Sequence, residues 1–131
     1  IVHRYPMLSL ANTYSREEVV EWLSKLPTDV EICCELKYDG LSISLWYENG
    51  QLVHAVTRGD GTQGDDVIDN IKTIKNIPLH INDPRYLEIR GEALISWEDY
   101  NAMNKDGELG HPRNVASGAL RQLDANFAKD K

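Results

Sequence analysis

A chain of 131 residues with 41% hydrophobic and 27% charged side chains has the make-up of one folded domain, or part of a larger one, and not of a disordered tail. Its 14 basic and 21 acidic residues give a net charge of −7, which argues against a free-standing nucleic-acid binder that gains affinity by neutralising phosphates. Apolar runs are too short to cross a membrane, and Ile1-Val2-His3-Arg4 is not expected to open a signal peptide. The two cysteines, Cys33 and Cys34, are adjacent, so by themselves they make neither a disulfide framework nor a four-ligand zinc site, and a reducing cytoplasm is the expected compartment.

No repeat, low-complexity tract or linker interrupts the sequence, so one continuous domain is expected over residues 1–131. Residues 1–14 read as irregular, with Pro6 and Asn12 breaking regularity. Ser15-Arg16-Glu17-Glu18 fits a capping box, and Val19, Trp22, Leu23 and Leu26 follow at helical spacing, so a helix is predicted to end before Pro27. From Val30 the period becomes two, predicting strands over 30–36 and 41–47, with Ser42 and Ser44 alternating against Ile43 and Leu45. Asn49-Gly50 predicts a type I′ turn, because both central positions need positive φ, and Leu52 to Thr57 returns antiparallel to 42–47. A helix over 67–74, a strand over 87–94, a helix from near Ser96 and a last helix over 114–123 complete the reading. The fold class is α+β, a largely antiparallel sheet with flanking helices.

Several segments carry groups capable of chemistry. In Glu35-Leu36-Lys37-Tyr38-Asp39-Gly40 a lysine lies beside acids and a glycine. A lysine amine attacks only when neutral, which desolvation and nearby cations promote and a lone carboxylate opposes. The same residues also fit a surface lysine ahead of an Asp-Gly turn. Gly59-Asp60-Gly61-Thr62-Gln63-Gly64 matches the dinucleotide fingerprint, but it follows a hairpin strand, and Asp60, Asp65 and Asp66 would repel a pyrophosphate. Arg58 ends the second hairpin strand, 21 residues after Lys37, where it either clamps a phosphate or ribose or pairs with a loop aspartate. Glu88, Arg90 and Glu92 share one strand face, which is either solvated or a polar site. Arg113 and Arg121 are eight residues apart, about 80° around a helix axis, and either serve one run of phosphates or form a solvated face. The histidines are scattered and none has a partner at metal-ligand spacing.

In order and spacing these pieces resemble the adenylation (nucleotidyltransferase) domain of bacterial NAD-dependent DNA ligase. The resemblance runs through Pro6-Met7-Leu8-Ser9-Leu10, Cys33 to Gly40, Thr57 to Thr62 with Gly64-Asp65-Asp66, and Ile74 to Pro78. It continues through Arg90-Gly91-Glu92, Pro112-Arg113-Asn114, Gly118 and Leu120-Arg121-Gln122-Leu123-Asp124. It implies a nucleotidyltransferase fold in which Lys37 attacks the α-phosphorus of NAD, expels nicotinamide mononucleotide and carries AMP as a phosphoramidate. Asp39 is implied to orient the lysine, Glu35 to recognise adenine, and Ser9 and Leu10 to line the nucleotide. Arg58 is implied on the ribose and phosphate side, Glu92 at the ribose, and Arg113 and Arg121 at the phosphates of the nucleotide and of nicked DNA. Magnesium is the implied metal cofactor, with no metal ligand assigned in this chain, and zinc belongs to other regions of the family.

The resemblance further implies that residues 1–131 form the N-terminal portion of the adenylation domain. Two later lysine-bearing segments, the nicotinamide-recognition region and the DNA-encircling modules are not found, so weak or no ligase activity is expected of this polypeptide alone. In the complete enzyme the implied partners are NAD and nicked double-stranded DNA, in replication and repair, with no membrane. The alternatives are an ATP-dependent nucleotidyltransferase and a non-catalytic nucleotide-binding fragment.

Overall fold

A computed structural model describes residues 1–121. The chain divides into two compact units, Leu8–Lys37 and a second made of Ile1–Met7 with the chain from Tyr38 onward.

In the Leu8–Lys37 unit the predicted helix forms as α1 (Arg16–Ser24). Ser15 Oγ accepts the Glu18 amide at 3.2 Å, satisfying one of the free N–H groups of the first turn. Glu18 does not complete a reciprocal box with Ser15; its carboxylate accepts from the Tyr14 amide at 2.6 Å, one residue earlier. Glu17 and Glu18 place negative charge at the positive end of the helix, and Glu21 pairs with Lys25 at 2.9 Å one turn on. The strand predicted over 30–36 does not form, and those residues have no regular secondary structure. Alternating Ile and Leu record a propensity for a pleated surface, whereas a strand needs a neighbour to receive its N–H and C=O groups.

The other unit is organised around a three-stranded antiparallel sheet, ordered β2-β1-β3, from β1 (Leu41–Glu48), β2 (Gln51–Thr57) and β3 (Leu87–Ala93). The hairpin is the predicted one. Asn49 and Gly50 have φ of 49° and 78°, and a β-carbon on Gly50 would lie 2.5 Å from the Ile81 carbonyl oxygen. The β1–β2 register opposes Ile43 to Thr57 and Leu45 to Ala55, then shifts by a bulge between Trp46 and Tyr47. In β1–β3, Ser42 faces Glu92, Ser44 faces Arg90 and Trp46 faces Glu88.

Alternation along β1 sorts its side chains. Ile43 and Tyr47 enter a core with Leu52, Ala55, Val67, Ile71 and Leu120, against which Leu41 and Leu45 pack. Tyr47 reaches through that core to donate to the Pro78 carbonyl at 2.8 Å, and burial raises its pKa. The helix predicted over 67–74 shrinks to one turn, α2 (Ile68–Ile71), whose buried Asn70 donates to the Ala119 carbonyl at 3.0 Å. The helix predicted near Ser96 forms as α3 (Trp97–Met103), with Ser96 Oγ accepting the Asp99 amide at 3.0 Å. The last helix, α4 (Pro112–Leu120), starts two residues before the predicted position because His111 caps it and Pro112, with no N–H to waste, suits its first turn. Residues 122–124, where that helix and the Gln122-Leu123-Asp124 motif were expected to run on, lie outside the described residues.

The glycine-rich run 59–64 is no dinucleotide fingerprint, because the strands before and after it belong to an antiparallel sheet. It turns back on residues 1–7 instead. The Met7 amide donates to the Gly61 carbonyl at 2.8 Å, and the Gly64 amide to the Ile1 carbonyl at 2.9 Å.

Candidate functional site

The alternation that sends Ile43 and Tyr47 into the core puts Ser42 and Ser44 on the opposite face of β1, where β3 brings Glu92, Arg90 and Glu88 alongside. The face carries a hydrogen-bonded polar row in which Glu88 is largely covered while Arg90 and Glu92 stay exposed. The Glu88 side chain is only 7% exposed, and its Oε1 accepts from Ser44 Oγ at 2.8 Å and from Arg90 Nε at 2.9 Å. Arg90 also donates to the Pro6 and Tyr5 carbonyls at 3.0 and 2.6 Å, so a half-covered charge pair ties residues 5 and 6 to the sheet.

Glu92 closes the other end of this row. Its Oε2 accepts from Ser42 Oγ at 2.9 Å and its Oε1 from the Gly40 amide at 3.1 Å. Gly40 has no room for a side chain, since a β-carbon there would collide with the Ala93 carbonyl oxygen. The Asp-Gly turn before β1 is thus packed against the end of β3.

Beside Ser42 opens a cleft of about 280 Å³ lined by Arg58, Arg113 and Arg121, with Ser117, Asn114, Leu41 and Gly59 completing it. Arg58 arrives from the end of β2, Arg113 from the first turn of α4 and Arg121 from its C-cap. The positive end of α4 adds to the field in which Arg113 and Asn114 stand. The counter-charges are loosely held. Asp39 is 3.5 Å from Arg113 and Asp65 is 3.8 Å from Arg121, with all four side chains more than half exposed. Pairs of that kind are worth at most about 1 kcal/mol, so an anion with several oxygens can displace them at little cost.

The sequence-derived candidates therefore fall into two groups. Asp39, Arg58, Arg113 and Arg121 meet at the cleft, and Glu92 joins them through Ser42. Arg113 and Arg121 line one cleft, and both side chains are half exposed. Ser9, Leu10, Glu35 and Lys37 belong to the Leu8–Lys37 unit, where Cys33 Sγ donates to Glu35 Oε1 at 3.4 Å. Sequence reasoning missed Ser42, Ser117 and Asn114 as lining groups, and the Ser42–Glu92 bond spans 50 residues with no local signal. Among the described residues no three His, Cys, Asp or Glu side chains gather as a metal site.

The structure is thus an α+β domain with a polar sheet face beside a cleft lined by three arginines. Comparison with known proteins gives the family. All of residues 1–131 match the model for the NAD-dependent DNA ligase adenylation domain. A DNA ligase of Bacteroides fragilis is 54% identical over 92% of this chain, and one of Phocaeicola vulgatus 55% identical over the same share. A DNA ligase of Azobacteroides pseudotrichonymphae is 50% identical across the whole chain. The chain belongs to the NAD-dependent DNA ligase adenylation domain family, and its fold is that of the nucleotidyltransferases. It spans about a fifth of the length of these curated relatives.

Proposed function

We propose that this chain supplies the nucleotide-accepting lysine and much of the nucleotide pocket of an NAD-dependent DNA ligase, the enzyme that seals nicks in replication and repair. The observation that carries the reading is the Asp39–Arg113 pair at the arginine-lined cleft. Asp39 is two residues from Lys37, and chain connectivity keeps their α-carbons within about 7 Å of each other. In this reading the cations of the cleft are the ones that favour the neutral amine of Lys37.

In the proposed reaction Lys37 Nζ, having lost its proton, bonds to the α-phosphorus of NAD. The phosphorus–oxygen bond to nicotinamide mononucleotide breaks, and that group leaves with the electron pair. Arg58 and Arg113 offset the negative charge that builds on the phosphorus oxygens as the fifth bond forms. Glu35 takes the adenine amine, Ser9 and Leu10 line the base, and Asp39 orients the lysine. Glu92 holds the ribose hydroxyls through acceptor capacity left over from Gly40 and Ser42, since each carboxylate oxygen has two lone pairs. An oxygen of a DNA 5′-phosphate then displaces Lys37 from AMP, with Arg121 on the phosphates. A 3′-hydroxyl attacks that 5′-phosphate and releases AMP, closing the strand. Magnesium, when bound, would offset negative charge on the nucleotide's phosphates, and among the described residues no three His, Cys, Asp or Glu side chains gather that could hold it. Nicked chromosomal DNA implies the bacterial cytoplasm as the working compartment. Among the described residues no helix is long and apolar enough to cross a membrane.

In the complete enzyme Lys37→Ala is expected to abolish covalent AMP attachment, followed by intact mass after incubation with NAD. Undiminished attachment in that variant refutes the reading. With ATP as donor in place of NAD, no adenylate is expected; efficient adenylation from ATP alone would assign the chemistry to the ATP-dependent class instead.

A further inference from the structure

His3 is 6% exposed, in a strap that runs along the Thr57–Gly64 loop. The strap's main chain already bonds to that loop, with the His3 amide donating to the Thr62 carbonyl at 2.8 Å. Its ring does something further. Nε2 lies 3.0 Å from the Thr57 carbonyl oxygen and 3.2 Å from that of Arg58. Both neighbours only accept, so Nε2 carries the proton and donates to the pair. The other nitrogen, Nδ1, is buried with no hydrogen-bond partner among the described residues. An unsatisfied buried acceptor costs stability, so the polar contribution of this ring is the grip made by Nε2.

That grip falls on a residue of the cleft. Arg58 is the first residue past β2, and its amide donates to the Ser42 carbonyl at 3.2 Å. Its carbonyl accepts from the Gly61 amide at 3.0 Å and from His3. The peptide groups on both sides of the Arg58 α-carbon are therefore fixed, one by β1 and the other by the loop and the strap. A small rotation of the second peptide would be magnified along the four rotatable bonds of the side chain, and positional errors of about 1 Å in a reacting site cost up to about 100-fold in rate.

We infer that His3 is a positioning residue for Arg58: its Nε2–H fixes the Thr57 and Arg58 carbonyls and so sets the direction in which the Arg58 guanidinium enters the nucleotide cleft. The inference rests on the reading of Arg58 as a ligand of the nucleotide's ribose and phosphate.

The test measures kcat and KM for NAD in the adenylation step of the complete enzyme, together with melting temperature. The variants are His3→Ala, His3→Gln, Arg58→Ala and the double variant His3→Ala with Arg58→Ala. Glutamine can set an amide N–H where Nε2–H stood, exchanging the unpartnered ring nitrogen for an amide oxygen, so it is expected to stay within about threefold of the parent. Alanine is expected to lower kcat/KM about tenfold. In the Arg58→Ala background the same change is expected to cost less than about twofold, because the group it acts through is gone. If His3→Ala does not fold, His3→Leu, which fills the space without a donor, takes its place. Equal losses in both backgrounds overturn the inference while leaving the role of Arg58 intact. So does a glutamine variant as impaired as alanine. If Arg58→Ala alone matches the parent, the role of Arg58 falls and the inference with it.

Discussion

Arg113 and Asp39 are both more than half exposed and 3.5 Å apart, a combination that makes them a poor source of stability and a good source of exchangeable charge. Arg113→Ala is accordingly expected to leave the melting temperature nearly unchanged while slowing AMP transfer by about 100-fold, the usual cost of removing one charge-stabilising group. Stopped-flow or quench measurement of the adenylation step alongside a thermal melt separates the two effects, and a large loss of stability with normal transfer would contradict the assignment. Asp60 makes a prediction about pH. The Gln63 and Thr62 amides, each 2.8 Å from Asp60 Oδ1, hold its carboxyl below the ordinary carboxylate range. A lowered folded-state value means that the contribution is fully present above the unfolded value of about 3.9 and is lost as pH falls through the lower one. NMR amide shifts of Thr62 and Gln63 should therefore hold steady near neutrality and move only in acid, and should lose that response in Asp60→Ala. At this scale the sequence showed what residue type and a turn can show, namely Lys37 beside Asp39-Gly40 and an arginine at a strand end. It hid Ser42 and His3, whose partners Glu92, Thr57 and Arg58 lie 50, 54 and 55 residues away.

The β1–β2 hairpin was the most legible element, because Asn49 and Gly50 are the residue types that tolerate their φ of 49° and 78°. Gly50→Ala meets two penalties at once, the positive φ and the approach of the Ile81 carbonyl oxygen to 2.5 Å from the new β-carbon. A loss of at least about 1–2 kcal/mol in chemical denaturation is expected, and a neutral result would mean that the turn is not held as described. The helices at Ser15, Ser96 and His111 were legible from caps and periodicity to within a residue or two. Residues 30–36 misled because a period of two reports which side chains suit a sheet and says nothing of whether a neighbouring backbone is there to pair with. The run 67–74 misled in the opposite way. Its apolar spacing is real, with Ile71 fully buried and Ile74 packed on the core, but only one turn of it is helical.

Across the unit built on the sheet, one face of β1 supplies the core and the other supplies the polar row that leads to the cleft. Core and site are therefore mechanically linked through a single strand. Ile71→Ala removes a fully buried side chain and is expected to cost about 2–5 kcal/mol, read by denaturant titration, whereas a cost under 1 kcal/mol would deny Ile71 its place in the core. The net charge of −7 also becomes intelligible at this scale. Three arginines at one cleft can attract phosphate because charges beyond a Debye length of about 8 Å are largely screened, so local sign outweighs the total. The sequence disclosed the family through the order of its short motifs, none specific alone, and the family-wide match over residues 1–131 bears that out. The most direct test of the whole account is to incubate the complete enzyme with NAD in the absence of nicked DNA, digest it without acid, and locate the AMP by fragment-ion mass spectrometry. The account predicts a phosphoramidate on the peptide containing Glu35 to Gly40, with the added mass on Lys37. AMP found on any other residue would contradict it.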